Sequence, residues 1–340
     1  MKFNLMASMS QTSYGLVSQY LLKEFQELEG IEIAIFPKGQ QSSLPFFPGA
    51  PSLQIWHQFD LAYHVGKGHV AYSFYEMNGL TELEQIHMKS VDCMCVPSKW
   101  AQEVANKHNI ITKGIPLGVD TEIFQPKEKP ESPTYTFLNI GKWELRKGHD
   151  IIPELFQQAF PNNENVKLLM MPNNPFLNEG ESLTWINHYR EVLGNRVAFL
   201  NPMQHHAQIA QVIQSADCGL FPSRAEGWNM PLLECMACGL PVITTKYSAH
   251  TEYCTDNNSF TVTPRGLEKA YDGKWFHGDF EWADLDKDCK DGMIEHMRFC
   301  YEERPSNPAG VSTAKTLTWK KCAESLLLEL NMLNMKNIQM

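Results

Sequence analysis

Cys218-Gly219-Leu220-Phe221-Pro222-Ser223-Arg224-Ala225-Glu226-Gly227-Trp228-Asn229-Met230-Pro231-Leu232-Leu233-Glu234-Cys235-Met236-Ala237-Cys238-Gly239-Leu240-Pro241-Val242-Ile243-Thr244-Thr245 is the stretch from which the rest of the chain can be read. Two short apolar runs bracket a polar loop and a brief helical stretch, which parses as strand, loop, short helix, strand. Asn229 stands as N-cap, Pro231 fits the first helical turn, and Gly239 with Pro241 ends the helix. Such a helix begins just past the carboxyl end of a strand, where open α/β sheets bind ligands. Its first N–H groups, around Met230-Pro231-Leu232, point outward at the positive end of the helix dipole and suit a diphosphate. Glu226 in the loop and Glu234 inside the helix can then address opposite ends of a ligand whose phosphates lie between them, as acceptors for sugar hydroxyls.

Working outward, short apolar runs alternate with amphipathic helical stretches almost from end to end, the pattern of β-α-β units on parallel sheets. The first series has expected strands at 3–8, 31–36, 53–57, 70–75, 93–97 and 114–117, with helices at 14–29, 80–90 and 100–109. Phe124-Gln125-Pro126-Lys127-Glu128-Lys129-Pro130-Glu131-Ser132-Pro133 reads as a surface linker and domain boundary. Beyond it, strands are expected at 135–140, 167–171, 197–200, 218–222 and 241–245, with helices at 149–160, 182–193, 206–214 and 231–238. The expected division is an N-terminal Rossmann-like domain over 1–125, a C-terminal one over 134–310, and a last helix within 311–340.

Composition narrows the partners. With 340 residues, two domains are expected, and a formal net charge of -10 gives no general attraction to nucleic acid. The N-terminus lacks a signal-like apolar core and no run reaches bilayer-spanning length, so the expected location is the cytoplasm. Nine scattered cysteines fit buried reduced thiols, and Cys235-Met236-Ala237-Cys238 fits core packing rather than a metal or redox site. Asp284-Leu285-Asp286-Lys287-Asp288 reads as an acidic loop rather than a metal site.

Glu226 and Glu234, with Ala237-Cys238-Gly239-Leu240-Pro241-Val242-Ile243 after them, closely resemble the E-x7-E signature of retaining glycosyltransferase family 4, the glycosyl transferases group 1 of GT-B fold. Phe137-Leu138-Asn139-Ile140-Gly141-Lys142-Trp143-Glu144-Leu145-Arg146-Lys147-Gly148-His149 is similar to the family's strand, basic loop and helix. Val96-Pro97-Ser98-Lys99-Trp100, Pro116-Leu117-Gly118-Val119-Asp120 and Trp319 also match its patterns.

The resemblance implies two doubly wound Rossmann-like domains facing across a cleft, the last helix crossing back to the first. It implies a UDP-, GDP- or ADP-linked sugar as co-substrate, no metal or other cofactor, and a glycan or lipid-linked acceptor, with peripheral membrane contact open. In that reading Glu226 meets donor-sugar hydroxyls, Glu234 the ribose, and Lys142, Arg146 and Lys147 the leaving diphosphate. The family more often has arginine where Lys142 stands, and Arg146 is the candidate to supply the bidentate contact instead. Asn229, Met230, Pro231 and Leu232 complete the donor site.

In the first domain only Gly15 stands where the family often has a Gly-Gly pair. His57 and Glu76 follow strands where the family carries a reactive-site histidine, and both are candidate catalytic residues. Rival readings are a two-domain sugar-binding protein without chemistry, or another GT-B reaction such as phosphorolysis or epimerisation. A dehydrogenase is disfavoured because no G-x-G-x-x-G follows the first strand.

Overall fold

The computed structural model describes residues 1–37, 46–172, 174–203 and 205–339. Its contacts divide the chain into Met1–Gly118 with Leu317–Met340, and Val119–Thr316. Each unit is built on a six-stranded sheet whose described pairings are all parallel.

In the first unit β1 (Lys2–Ala7), α1 (Ser13–Glu27), β2 (Glu32–Pro37), β3 (Ser52–Ile55), β4 (His69–Tyr72), α2 (Glu82–Lys89), β5 (Cys93–Val96), α3 (Lys99–Asn106) and β6 (Thr112–Gly114) alternate. The strand order is β2-β1-β3-β4-β5-β6. The chain therefore steps to one side of β1 and then returns to the other, leaving a crevice outside the carboxyl ends of β1 and β3. β6 lies earlier than the 114–117 run suggests, because Thr112–Gly114 pairs with Met94–Val96. Two signals set α2: Thr81 and Glu84 form a capping box, with the Thr81 side chain accepting from Glu84 N–H and Glu84 from Thr81 N–H.

The second unit continues with β7 (Tyr135–Gly141), α4 (Ile152–Ala159), β8 (Val166–Pro172), α5 (Glu179–Leu193), β9 (Val197–Phe199), α6 (His206–Ser215), β10 (Cys218–Phe221), α7 (Met230–Ala237), β11 (Val242–Thr245) and β12 (Phe260–Val262). A hairpin of β13 (Leu267–Tyr271) and β14 (His277–Ala283) follows, then α8 (Lys287–Glu303) and α9 (Pro308–Thr316). The order β12-β11-β10-β7-β8-β9 is the Rossmann order, with the switch point between β7 and β10. Its core joins Phe137, Leu168 and Leu220 from the sheet to Phe156, Tyr189 and Met297 from helices, and Trp143 stacks on Trp185 at 5.4 Å. The final helix, α10 (Trp319–Gln339), belongs to the first unit, where the Trp319 ring stacks on Tyr20 at 4.7 Å.

Two local expectations change. The proline-rich segment 124–133 is a strap on the second unit rather than a free linker. Phe124 is buried, Gln214 donates to the Gln125 carbonyl, and Lys129 pairs with Asp217 at 2.8 Å. The acidic stretch is the start of a helix: Asp286 caps α8 by accepting from Cys289 N–H at 2.8 Å, and Asp288 pairs with Arg265. Among the described residues no group of three or more His, Cys, Asp or Glu is placed to hold a metal ion. All nine cysteines are free.

Candidate functional site

The loops after β7 and β10 meet at the switch point of the second unit. Their approach is so close that residue 148 must be glycine. Its φ is +71°, and a Cβ there would stand 2.0 Å from the Pro222 carbonyl oxygen. Arg224 N–H donates to the Arg146 carbonyl at 2.6 Å, closing one loop on the other. The Arg224 guanidinium then forks onto Asp150 at 2.7 and 2.9 Å and reaches Glu268 of β13 at 2.8 Å.

Glu226 is the hub of this junction. Its carboxylate, 4% exposed, accepts from Arg146 at 2.8 Å, Lys147 at 2.7 Å and Ser223 at 2.9 Å. Burial alone would raise the carboxyl's pKa, but Lys147 and Arg146 together outweigh it and hold the group well below the usual carboxylate range. Glu144 repeats the arrangement: it pairs with Arg146 at 2.6 Å and Lys142 at 3.1 Å, and after burial is offset by Arg146 its pKa also lies low.

Three cations, Lys142, Arg146 and Lys147, thus face two carboxylates, Glu144 and Glu226. Arg146, itself 4% exposed, gives one terminal nitrogen to Glu226 and the Ala225 carbonyl and the other to Glu144. Both of its terminal nitrogens are therefore engaged by protein acceptors in this structure. Lys147 and Lys142, with side chains 14% and 32% exposed, are less deeply buried than Arg146.

Two buried histidines brace the loops, and sequence reasoning assigned neither. His149 Nδ1 accepts from Glu144 N–H at 3.1 Å, so the proton is on Nε2, which donates to Asn139 Oδ1 at 2.9 Å. Asn139 in turn donates to the Leu220 carbonyl on β10. His250 holds the start of α7. Thr244 Oγ1 already donates to the Phe221 carbonyl, so His250 Nδ1–H points at Thr244 Oγ1 and the Thr245 carbonyl, and Nε2 accepts from Asn229 Nδ2 at 3.0 Å. Burial first of all lowers both pKa values, to about 3 for His149 and about 4 for His250, so both rings are neutral at pH 7. The one sequence signal was position: His149 closes the basic loop and His250 follows β11 closely.

Asn229 departs from the expected N-cap. Its backbone is left-handed at φ 76° and its side chain turns to His250, so it does not cap α7. The first-turn N–H groups of Met230 and Leu232 are left for another acceptor, and Pro231 carries none. Nearby, Trp228 Nε1 and Asn229 Oδ1 are buried with no hydrogen-bond partner among the described residues. Glu234 is buried with no protein donor among the described residues, and burial pushes its carboxyl up to about 8. Helix-start N–H groups without a cap from Asn229, a lysine paired with the loop before that helix and an unpartnered carboxyl are groups that can take an anion with hydroxyls beside it.

The switch point of the first unit is aromatic. Tyr14, at the start of α1, lies 4.4 Å from the His57 ring beyond β3 and stacks on Phe74 at 4.5 Å. Its hydroxyl accepts from Phe74 N–H and donates to the Phe74 carbonyl. His57 also stacks on Phe59 at 5.0 Å, and Glu76 lies two residues past Phe74, half-buried. Gly15 is needed for its own loop, since a Cβ would stand 2.0 Å from the Ser10 carbonyl oxygen. It therefore has a packing reason that owes nothing to a ligand.

Comparison with known proteins agrees with this layout. The Glycosyl transferases group 1 profile matches residues 120–272, which contain both loops, Glu226, α7 and Glu234. This chain carries a glycosyl transferases group 1 domain. The chain is 22% identical across 225 residues to a phosphatidylinositol N-acetylglucosaminyltransferase subunit from Arabidopsis thaliana. That match covers 59% of this chain and 48% of the plant protein. A GDP-mannose-dependent alpha-(1-6)-phosphatidylinositol dimannoside mannosyltransferase of Mycobacterium tuberculosis is 23% identical, covering 64% of this chain and 52% of that protein. The chain spans about half the length of these relatives.

Among solved structures, sucrose-phosphate synthase of Thermosynechococcus elongatus superposes with a TM-score of 0.72 at 13% identity, covering 98% of this chain and 99% of that one. Anabaena HepE in complex with UDP gives 0.68 at 15%, covering 97% and 99%. The fold is GT-B, with the group 1 domain as its second Rossmann-like unit.

Proposed function

We propose that the protein is a retaining glycosyltransferase that moves a sugar from a nucleoside-diphosphate sugar to a hydroxyl-bearing acceptor without a metal ion. The observation that carries this reading is the start of α7 left without a cap from Asn229, four residues past the Glu226 that pairs with Lys147, with the unpartnered Glu234 one turn inside the helix. The N–H groups and Lys147 would hold the diphosphate and stabilise the charge that develops as the glycosidic bond breaks. Glu234, whose carboxyl lacks a protein donor, would accept from the ribose hydroxyls. Glu226 has both oxygens committed to cations, and one of them also accepts from Ser223. Its part is therefore to hold Lys147 and Arg146 in place rather than to act as a nucleophile. That arrangement favours the leaving phosphate, not a protein carboxylate, as the base that receives the acceptor proton.

The acceptor is proposed to be a polyol or glycan, free or lipid-borne, since several relatives are named for inositol phosphate or phosphatidylinositol acceptors. His57 and Glu76 are the first unit's candidates for touching it. Among the described residues no helix is long and apolar enough to cross a membrane. The nine free cysteines support work in the reducing cytoplasm, with lipid-borne acceptors met at a membrane surface.

The test is a thermal-shift screen against UDP, GDP, ADP and their sugar conjugates, with and without EDTA, followed by NMR of the product's anomeric configuration. A shift with one nucleotide that survives EDTA, and a product with the donor's configuration, are expected. No shift with any nucleotide refutes the reading; an inverted product refutes retention.

A further inference from the structure

The β13–β14 hairpin belongs to neither six-stranded sheet, yet it is fastened to the loop that carries Glu226. At its base Arg224 binds Glu268 at 2.8 Å and lies over the Trp282 ring, whose indole N–H donates to Glu268 at 3.0 Å. Ala283 N–H donates to the Arg224 carbonyl at 3.0 Å. At its tip one Asp272 oxygen accepts from the backbone N–H groups of Lys274, Trp275 and Phe276 at 2.7 to 2.9 Å. The tip is thereby fixed, and what it presents is an aromatic side chain: Trp275 is 47% exposed and Tyr271 62%.

Trp275 meets Phe176, 53% exposed in the loop after β8, edge to face at 5.6 Å and 71°. Lys274 ties the tip to α5 through Glu181 at 2.7 Å. The Lys142 ammonium lies 5.6 Å from the centre of the Phe176 ring while pairing with Glu144, which is bound to Arg146 and through it to Glu226. A rim of half-exposed rings is thus continuous, side chain by side chain, with the anion site.

We propose that Trp275 and Phe176 form a carbohydrate-binding rim that holds a sugar residue of an acceptor glycan beyond the residue being glycosylated. The inference rests on the transferase reading above. Large exposed aromatic side chains held rigidly at a site's edge mark recognition surfaces. The electron-rich face of an aromatic ring suits the outward C–H groups of a pyranose, while its hydroxyls remain free for Lys142 and Asp272 and for water. A nucleobase needs enclosure for its edges to be read, which an open corner of two rings at 71° does not give.

The experiment uses the full chain with UDP or GDP, whichever shifts its melting point, and a panel of linear α- and β-linked hexasaccharides as probes. Binding is followed by calorimetry and by tryptophan fluorescence of the wild type minus Trp275→Phe. At least one hexasaccharide should bind, Trp275→Ala should weaken it roughly tenfold, an ordinary loss for a buried aromatic contact, and Trp275→Phe should retain most of it. The nucleotide-induced shift should be the same in all variants, which also reports that they fold; Phe176→Ala supplies the second arm if Trp275→Ala alone loosens the hairpin. Equal hexasaccharide affinity in Trp275→Ala and Phe176→Ala, or no hexasaccharide bound by a wild type that binds nucleotide, overturns the rim. A wild type that binds hexasaccharide through Trp275 but no nucleotide keeps the rim and overturns the transferase reading instead.

Discussion

Where strand order reverses in the second unit, Arg146 and Lys147 both stand within ion-pair distance of Glu226; where it reverses in the first, Tyr14 stands in ring contact with His57 and Phe74. Both crevices come from the same topological rule, and both sit outside the carboxyl ends of parallel strands. The fold therefore supplies the place, and the side chains decide the ligand. Three cations around two carboxylates near the start of α7 offer charge to an anion, while stacked rings with a histidine among them offer apolar faces and no fixed charge. The contrast is open to attack at several points.

The largest effect is expected at Glu226. With two cations committed to this one buried carboxylate, its removal strands their charge. Glu226→Ala should lower unfolding free energy by about 3 to 5 kcal/mol as well as abolish transfer. Urea denaturation of wild type and variant measures it; a change under about 1 kcal/mol, within the range of exposed pairs, would mean the network is solvated after all. Next comes Gly148→Ala, which imposes a left-handed backbone on alanine and drives its Cβ toward the Pro222 carbonyl. A loss above about 2 kcal/mol is expected, since strain and clash add. Its counterpart Gly15→Ala clashes with the Ser10 carbonyl and should disturb the first unit without changing nucleotide affinity.

A sharper separation of the two crevices uses ligand binding. Lys147→Ala should weaken nucleoside diphosphate binding by about 1.5 to 3 kcal/mol, the worth of a charge-assisted contact. His57→Ala should leave that affinity unchanged and act on acceptor KM or turnover. Calorimetry with the nucleotide alone decides it: an equal loss in both variants would erase the division of labour.

How much of this was legible beforehand differs between the units for a physical reason. The strand-loop-helix of 218–245 and the basic loop of 137–149 announce themselves because phosphate chemistry needs particular residue types at fixed spacing, and α/β alternation shows in apolar periodicity. Glu226 and Glu234 were therefore visible as a pair, but not that one would be caged by cations and the other left unpartnered. That distinction depends on which side chains the fold brings near, and Arg146 comes from 80 residues away. His149, His250 and Arg224 were missed because single buried braces have no sequence period. The β13–β14 hairpin was missed because Leu267–Ala283 is interrupted by glycine and charge, and α8 because its first turn reads as an acidic loop. The first unit offered only Gly15, His57 and Glu76, since aromatic stacking among Tyr14, Trp56 and Phe74 looks like ordinary core composition.

The smallest expected effect tests the other half of the carboxylate pair. Burial raises Glu234 from its ordinary 4.5 to about 8, so the unliganded native state holds a proton that the unfolded chain releases above about 4.5. Its contribution to stability is complete below about 4.5 and is lost as pH rises through about 8; Glu234→Gln should remove that slope. The two neutral histidines act in the opposite direction. Their ordinary value is 6.5, so the unfolded chain gains protons below about 6.5 that the native state resists down to about 4 and about 3, and stability falls on acidification there. Ribose hydroxyls donating to Glu234 would favour its ionised form, so binding would release a proton. Affinity for a nucleoside diphosphate should then rise with pH up to about 8 and level off, while a 2′,3′-dideoxy analogue, lacking those donors, should show no rise. Calorimetry in two buffers of different ionisation enthalpy measures the released proton directly. If both nucleotides give the same proton count, Glu234 does not meet the ribose, and its raised pKa is a cost of burial that the fold tolerates rather than one the ligand relieves.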